Sequence, residues 1–300
     1  MTAPGETNVP ADDADDPYVA PTSEPAADLP RHARERLVQM RKAHIFTSDL
    51  SVNEFLLVKQ VGFDPIGLVM GSSIYQIAPP IANPGQSHEL TTLTQALYES
   101  RDHAMTRMEE EAEALGADGI IGVRLEMNLH AFGRNIAEFV AVGTAIRHRH
   151  GEHYRNKKGR PFTSDLTGQE FWTLLRAGYR PVGFVLGNCA YYVAPDELLA
   201  TEGSARNQEL TSYTHSLYDA RELAIARLQA EAEDLDAEGI VDVTVEEKQH
   251  SWNNALGRRR RPGARFAGEL IEFIVVGTAV VAMQSDQPVP VPTLVIPANR

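Results

Sequence analysis

The sequence predicts an α+β protein made of two tandem small β-α-β-β domains, each with one long helix on a short sheet. The first observation is a repeat, since Phe46–Leu50 reads Phe-Thr-Ser-Asp-Leu and so does Phe162–Leu166. The second is that Glu89–Ile120 aligns with Glu209–Ile240 with 16 identities in 32 positions. The third is that both copies end in Val-Gly-Thr-Ala. A period above about 100 residues is too long for a stacked solenoid unit, so we interpret it as a duplicated domain.

Each copy begins with a short helix and a strand. Ser51 with Glu54, and Thr167 with Glu170, have the S/T-x-x-E spacing in which hydroxyl and carboxylate satisfy backbone groups at the start of a helix. The segment that follows in the first copy, residues 65–77, is apolar at nearly consecutive positions. Such a run predicts a strand that is covered on both faces.

A long amphipathic helix and two further strands complete each copy. Ser87 and its counterpart Asn207 are suitable N-cap residues, which predicts that the long helices begin there. The predicted last strands span residues 119–129, 136–146, 240–247 and 270–283. The apolar stripes of the helices consist of Leu93, Leu97, Ala104, Met108 and Leu115 in the first copy, and of Tyr213, Leu217, Ala224, Leu228 and Leu235 in the second.

An arginine interrupts each apolar stripe, Arg101 in the first copy and Arg221 in the second. A buried guanidinium needs a partner, because an isolated buried charge costs several kcal/mol. Glu138 and Glu272, on the inward face of the last strand of each copy, are the natural partners. We therefore predict Arg101–Glu138 and Arg221–Glu272 ion pairs, within a domain or between subunits. The alternative is that both arginines border the stripe and extend their charged ends to water.

Composition divides the chain further and excludes a membrane protein. The net charge is −13, yet seven acids and no Lys or Arg lie in residues 1–30. The longest uncharged apolar stretch, Phe273–Met283, is 11 residues long, whereas a membrane-spanning helix needs about 20. The predicted divisions are a disordered acidic tail (1–30), a short helical lead-in (31–43), domain 1 (44–147), a basic linker (148–160), domain 2 (161–283) with a basic insertion near 251–268, and a Pro-rich tail (284–300).

The N-terminus has no cationic region followed by an apolar core, so it lacks a secretory signal and we expect a cytoplasmic protein. Motifs for phosphate binding, zinc hydrolysis and serine catalysis are absent from the sequence, so we do not expect an enzyme. Overall acidity makes nucleic acid an improbable partner, because phosphate binding needs clustered Lys and Arg. The basic linker and Arg258–Arg261 are two local exceptions. The tails are candidate contacts for a protein partner.

The combination of three segments resembles a known family. Tyr98–Met108 reads YESRDHAMTRM, Glu111–Val123 reads EAEALGADGIIGV, and Val142–Ala145 reads VGTA. Together they resemble the YbjQ-like family of heavy-metal-binding domains, and the second copy repeats most of the pattern. The resemblance implies a small α+β domain similar in class to dodecin subunits. It also implies that the chain is a homo-oligomer with pentameric, ring-like symmetry and that a divalent metal is a possible cofactor.

Candidate metal ligands are few. Cys189 is the single cysteine and lies in an apolar run, where a thiol most often behaves as a small hydrophobe. His148, His150 and His153 in the linker are weak candidates for a borderline ion such as zinc or nickel. Residues 147–160 also contain six Lys or Arg and one Glu, a positive field that opposes cation binding. A solvated interdomain linker is the alternative interpretation.

These observations leave two hypotheses on function. The first is a non-enzymatic, ring-forming cytoplasmic protein that binds a heavy metal or a small ligand at subunit interfaces. The second is an oligomeric scaffold that presents disordered tails and basic loops to a protein or nucleic-acid partner.

Overall fold

The computed structural model of the protein describes residues 29–43, 45–76, 82–83, 85–130, 136–150, 154–194, 209–251 and 268–283. Residues 1–28 of the N-terminal tail, the Pro-rich tail 284–300, Asn207, His153 and residues 252–267 of the basic insertion lie outside these ranges. Leu29, which the sequence analysis assigned to the disordered tail, is 2% exposed in the core. The described residues form an α+β protein, as the sequence predicts. Within them, no helix combines the length and apolar character needed to cross a membrane.

A short helix, a long strand, a long helix and two further strands follow one another twice, in a first unit (residues 45–150) and a second unit (residues 154–283), and each unit adds one short strand at a different place. A helix, α1 (Arg31–Ala43), precedes the first unit. The first unit contains α2 (Val52–Gln60), β1 (Phe63–Gln76), β2 (His88–Glu89), α3 (Thr91–Ala114), β3 (Gly119–His130) and β4 (Ile136–His148). The second unit contains β5 (Phe162–Thr163), α4 (Gly168–Arg176), β6 (Tyr179–Val193), α5 (Thr211–Glu233), β7 (Gly239–Ser251) and β8 (Glu269–Ala282).

Each unit contributes a short strand to the sheet of the other. The two sheets have the strand orders β1-β4-β3-β5 and β2-β6-β8-β7. Strand β5 of the second unit pairs in parallel with β3 of the first, and β2 of the first unit pairs antiparallel with β6 of the second. The other neighbours in each sheet are antiparallel. The two units are therefore joined by backbone hydrogen bonds at two places.

The predicted starts of the short helices are confirmed, and those of the long helices need correction. Both capping boxes form, at Ser51 with Glu54 and at Thr167 with Glu170. Helix α3, however, begins after Leu90 without a side-chain cap. Strand β2 holds the preceding segment against β6, so the Ser87 hydroxyl accepts the backbone N–H of Ala194 instead, at 2.9 Å.

A glycine on the first long strand of each unit lets the long helix approach closely. A Cβ on Gly71 would lie 2.0 Å from the carbonyl oxygen of Ala104, and one on Gly187 would lie 1.8 Å from that of Ala224. The helix backbone therefore rests on the strand backbone in both units. The predicted stripe residues of α3 are buried in the resulting core: Leu93, Leu97, Ala104, Met108 and, just past the helix, Leu115.

The prediction that the first long strand of the first copy is covered on both faces is wrong for part of β1, whereas β6, the matching strand of the second copy, is covered in this way. Met70 and Ile74 on β1 are 47% and 70% exposed. Their counterparts on β6, Leu186 and Ala190, are 3% and 0% exposed. The difference arises because α3 of the first unit packs against β6 and covers it.

Candidate assembly interface

The contact between the units is built along the outer edge of β6. An edge strand exposes backbone groups that must find partners, and α3 supplies them. Thr94 Oγ1 accepts the N–H of Ala190 at 3.0 Å, and the backbone N–H of Leu90 donates to the carbonyl of Ala190 at 2.8 Å. The Tyr98 hydroxyl donates to the carbonyl of Leu186 at 2.5 Å. Strand β2 pairs with one end of this edge, and the side chains of Thr94 and Tyr98 bind the backbone groups beyond it.

Arg101 lies at the centre of this contact. Its side chain is only 7% exposed, and its Nη2 lies 2.6 Å from Glu231 Oε1 on α5. The other oxygen of Glu231 accepts the N–H of Leu186 at 2.9 Å. The guanidinium also lies over the ring of Tyr98, 4.6 Å from its centroid. Burial, with the nearby Glu231 carboxylate, holds the pKa of the Tyr98 phenol well above its ordinary value, so it stays a hydrogen-bond donor.

The partners of the two arginines within the chain differ from those predicted. Arg101 pairs with Glu231 rather than Glu138, because its helix face points at the second unit and not at β4. Arg221 donates to its neighbour Glu222 at 2.9 Å. Glu138 is half-buried on β4 and Glu272 is buried on β8. The pairings between subunits that the sequence also allowed stay predictions.

A second part of the contact is the insertion of Phe162 beside β3. Phe162 is fully buried, and its ring stacks on that of Phe171 with centroids 5.9 Å apart. A Cβ on Gly119 would lie 2.2 Å from the Phe162 ring, so only glycine leaves room for it. Beyond it, the carbonyl of Ser164 accepts the N–H of Val123 at 2.9 Å. The segment from Phe162 onward therefore extends the edge of the first sheet.

Most counterparts of these groups lie on the outer surfaces of the chain, with Glu111 buried beneath at 2% exposure. We call the outer edge of β1 with Phe46, Met70, Ile74, Arg107 and Glu111 the head surface. We call the exposed parts of α5 and β7, with Thr214, Tyr218, Arg221, Gly239, Val243 and Val245, the tail surface. On the head surface Phe46 is 48% exposed, and on the tail surface Tyr218, Val243 and Val245 are 52%, 48% and 53% exposed. A Cβ on Gly239 would have Val280 Cγ2, 3.9 Å away, as its nearest heavy atom.

The residues of the head and tail surfaces correspond, by position in the repeat, to the two sides of the contact that the chain buries between its units. Phe46 corresponds to Phe162, and Gly239 to Gly119. Tyr218 corresponds to Tyr98, Arg221 to Arg101, and Glu111 to Glu231.

The repeated Thr-Ser-Asp turns serve the fold. Thr144 Oγ1 donates to Asp49 Oδ1, and Thr278 Oγ1 donates to Asp165 Oδ1. Burial raises the pKa of Asp165 to about 6, although the hydrogen bond from Thr278 acts in the opposite direction. These bonds link the repeated Thr-Ser-Asp and Val-Gly-Thr-Ala motifs, a connection that the sequence analysis did not make.

Two of the three predicted metal ligands, His148 and His150, lie within the described residues, and the third, His153, lies outside them. His148 is 8% exposed and packs against Phe63 and Tyr154, with ring centroids 5.0 and 4.9 Å away. His148 is the last residue of β4. Its place in the basic segment had indicated a solvated linker, which is wrong for this residue. His150 is exposed, with its ring 5.8 Å from that of His148. In the described ranges, no group of three or more His, Cys, Asp or Glu could hold a metal ion.

Cys189 is equally unsuited to soft-metal binding. The thiol is buried within β6 and 1% exposed. Burial raises its pKa to about 12. Because the thiolate is the form that binds metals, the structure favours the interpretation of Cys189 as a core residue.

Comparison with known proteins places this architecture in a family. The YbjQ family, described as "Putative heavy-metal-binding", matches residues 85–149 and 198–283. The chain belongs to the YbjQ family. Its two copies therefore both carry the family pattern, as the resemblance of residues 98–145 had indicated.

Individual relatives match either both copies or about the length of one. "Encapsulin nanocompartment protein Rv1762c" of Mycobacterium tuberculosis is 41% identical over 270 residues, which cover 89% of this chain and 96% of that protein. A UPF0145 protein of Halorubrum lacusprofundi is 37% identical over 107 residues, 34% of this chain and 99% of its own length. A UPF0145 protein of Clostridium perfringens is 42% identical over 85 residues, 27% of this chain and 78% of its own. The M. tuberculosis protein thus matches both copies, whereas the H. lacusprofundi protein is about as long as one.

The mycobacterial relative corrects the expected function. A ring that binds a heavy metal or a small ligand was the first hypothesis, and it is wrong, because the relative that matches nearly the whole chain is named as an encapsulin nanocompartment protein. The scaffold that presents tails and basic loops to another partner is set aside on the same finding.

Proposed function

We propose that this protein is a self-assembling, non-enzymatic component of an encapsulin nanocompartment. The observation that carries the proposal is the 41% identity to the M. tuberculosis nanocompartment protein over 270 residues. An alignment of that length includes both units and the contact between them. The cytoplasmic location and the two domain ranges, 44–147 and 161–283, belong to this proposal.

The internal contact supplies a template for the assembly. When the tail surface of one copy meets the head surface of the next, Tyr218 donates to the carbonyl of Met70 and Arg221 pairs with Glu111. Thr214 accepts the N–H of Ile74, as Thr94 accepts that of Ala190 within the chain. Phe46 enters the space beside Gly239, where a Cβ would have no neighbour closer than 3.9 Å.

A head-to-tail contact uses different surfaces on its two sides, so it forms a ring if the rotation closes and a filament if it does not. We favour closure, because the resemblance to the YbjQ-like family implies ring symmetry. Five chains is the number that the same resemblance implies.

The experiment that tests the assembly is mass photometry of the purified chain, with a variant on the tail surface. We expect wild-type particles at a defined multiple of the 33.0 kDa chain mass. Tyr218→Asp places a charge opposite the edge of β1 and should leave single chains. Leu223→Asp is the matched control on the same helix, because its counterpart His103 is exposed beside the internal contact. Wild-type protein that remains a single chain at micromolar concentration would refute the assembly.

The nanocompartment role is tested separately in the source cells. Intact nanocompartments purified by size and density should contain the chain, as identified by mass spectrometry. Cells expressing Tyr218→Asp should lose it from that fraction, while cells expressing Leu223→Asp should retain it. Absence of the wild-type chain from the fraction would contradict the role and leave the assembly result standing.

A further inference from the structure

Helix α1 covers part of the head surface in the single chain. The Arg36 guanidinium donates to Glu111 Oε2 and, at 3.0 Å, to the carbonyl of Leu68 on the edge of β1. Leu37 is fully buried, in the core cluster that also contains Val69 of β1 and Met108 of α3. Met40 lies against β1, since a Cβ on Gly67 would be 2.8 Å from Met40 Cε. Helix α1 is thus docked on the surface that the proposed assembly uses.

Arg36 reproduces the contact that Arg101 makes between the units. Glu111 Oε2 accepts the N–H of Met70 at 2.9 Å, just as Glu231 Oε2 accepts that of Leu186 at 2.9 Å. Each carboxylate therefore binds one strand N–H and one guanidinium from a helix outside its own unit. At the internal contact the helix is α3, and on the head surface it is α1.

The positions along the strand edge coincide as well. Leu68, whose carbonyl Arg36 binds, corresponds to Phe184. Phe184 and Leu186 line one cavity together with Leu97 and Arg101 of α3. The place beside Leu68 that Arg36 fills is therefore the place where a second copy would bring Leu217 and Arg221.

Helix α1 and the α5 of a second copy cannot both place an arginine at this edge, because Glu111 is only 2% exposed while Arg36 is bound to it. We propose that α1 is a built-in competitor of assembly, which must leave the head surface before the Arg221 of a second copy binds Glu111. This inference rests on the proposed head-to-tail assembly.

The composition of α1 suits a reversible contact. The helix has 13 residues, and isolated helices of about 12–15 residues are marginal in water. It carries five Lys or Arg and one Glu, so the helix is well hydrated when it leaves the surface. Release of α1 therefore does not require unfolding of either sheet.

The test compares Arg36→Ala with the control Arg34→Ala, an exposed arginine on the same helix. The measured quantity is the chain concentration at half-assembly, from sedimentation velocity. We expect Arg36→Ala to lower it by about ten-fold, since each 1.4 kcal/mol removed from the competing contact is a factor of about ten. Arg34→Ala should leave it unchanged. An unchanged or raised value for Arg36→Ala would show that α1 does not compete.

Hydrogen exchange of the wild-type chain gives a second readout that needs no variant. The α1 amides should exchange faster in assemblies than in single chains, and stronger protection on assembly would overturn the proposal. If the wild-type assembles and Arg36→Ala shows no shift, only the competition fails. If neither the wild-type nor Arg36→Ala assembles, the head-to-tail assembly itself fails and the competition with it.

Discussion

Glu231→Gln tests the internal contact at its centre. The glutamine keeps an oxygen for the N–H of Leu186 and removes the charge that neutralises Arg101. Breaking a buried ion pair from one side costs about 3–5 kcal/mol, because the remaining charge is left in a poorly solvated place. Arg101 is 7% exposed but Glu231 is 27% exposed, so water compensates part of the loss. We expect the free energy of unfolding to fall by about 2–3 kcal/mol.

The assay is urea denaturation followed by far-ultraviolet circular dichroism. It is performed in the Tyr218→Asp background, so that assembly does not make the stability depend on chain concentration. The midpoint should move with little change in the slope of free energy against urea, because the surface exposed on unfolding is the same.

The second unit offers a matched control. Glu222→Gln removes the partner of Arg221, in a pair whose side chains are 39% and 62% exposed. Exposed pairs contribute little, because water screens both charges, so we expect no measurable loss. Equal losses for Glu231→Gln and Glu222→Gln would refute the reasoning, since it depends on the difference in burial.

Three further predictions concern single residues. Gly187→Ala forces α5 away from β6 and should cost about 3 kcal/mol, a typical upper value for overpacking; an unmoved urea midpoint would contradict it. Burial raises the pKa of Glu109 to about 7 despite its pairing with Arg160. The folded chain therefore binds this proton more tightly than the unfolded chain, so stability should fall by up to about 3 kcal/mol as pH rises from about 4.5 to about 7. Glu109→Gln introduces the residue type that the second copy has at Gln229. It should reduce the difference in free energy of unfolding measured by urea titration at pH 5 and at pH 8. An unaltered difference would disprove the assignment of this proton to Glu109. Cys189 should react with a thiol reagent at pH 8 at least about a hundred-fold more slowly than a free thiol, and fast labelling of the native protein would count against its burial.

The spacing of residues in the sequence predicts those features whose partners all lie close together in the chain. The Ser51–Glu54 and Thr167–Glu170 boxes form because all their partners lie within one turn of helix. The apolar stripe of α3 is likewise buried where its periodicity indicates. The repeat predicts the two units because the same local patterns occur in the same order.

Contacts between the units could not be predicted in this way. Arg101 and Arg221 occupy the same place in two similar helices, yet one is buried against Glu231 and the other pairs with Glu222 at the surface. The difference depends on what docks on each helix, which the helix sequence does not contain. The identity of polar residues at matching positions, such as Tyr98 with Tyr218, was the signal that could have indicated a contact surface.

The expectation that a solvated linker begins at His148 is wrong for a related reason. A run of histidines and arginines resembles a solvated linker, but β4 continues through His148 and places its ring beside Phe63. Pairing with β1 across the whole strand decides this, since Phe63 lies opposite His148 in the register. Composition alone does not reveal where a strand ends.

Because β2 and β5 join the two sheets within one chain, they limit the number of units that the proposed closed assembly can contain. Because each chain brings two units that already lie side by side, a closed circle can grow only in steps of two, and an odd number of units is forbidden. In the proposed ring, five chains would make a circle of ten units, which would turn half as much at each contact as a circle of five. In the proposed assembly, duplication of the domain therefore restricts the permitted sizes, and every second contact is made before any two chains meet.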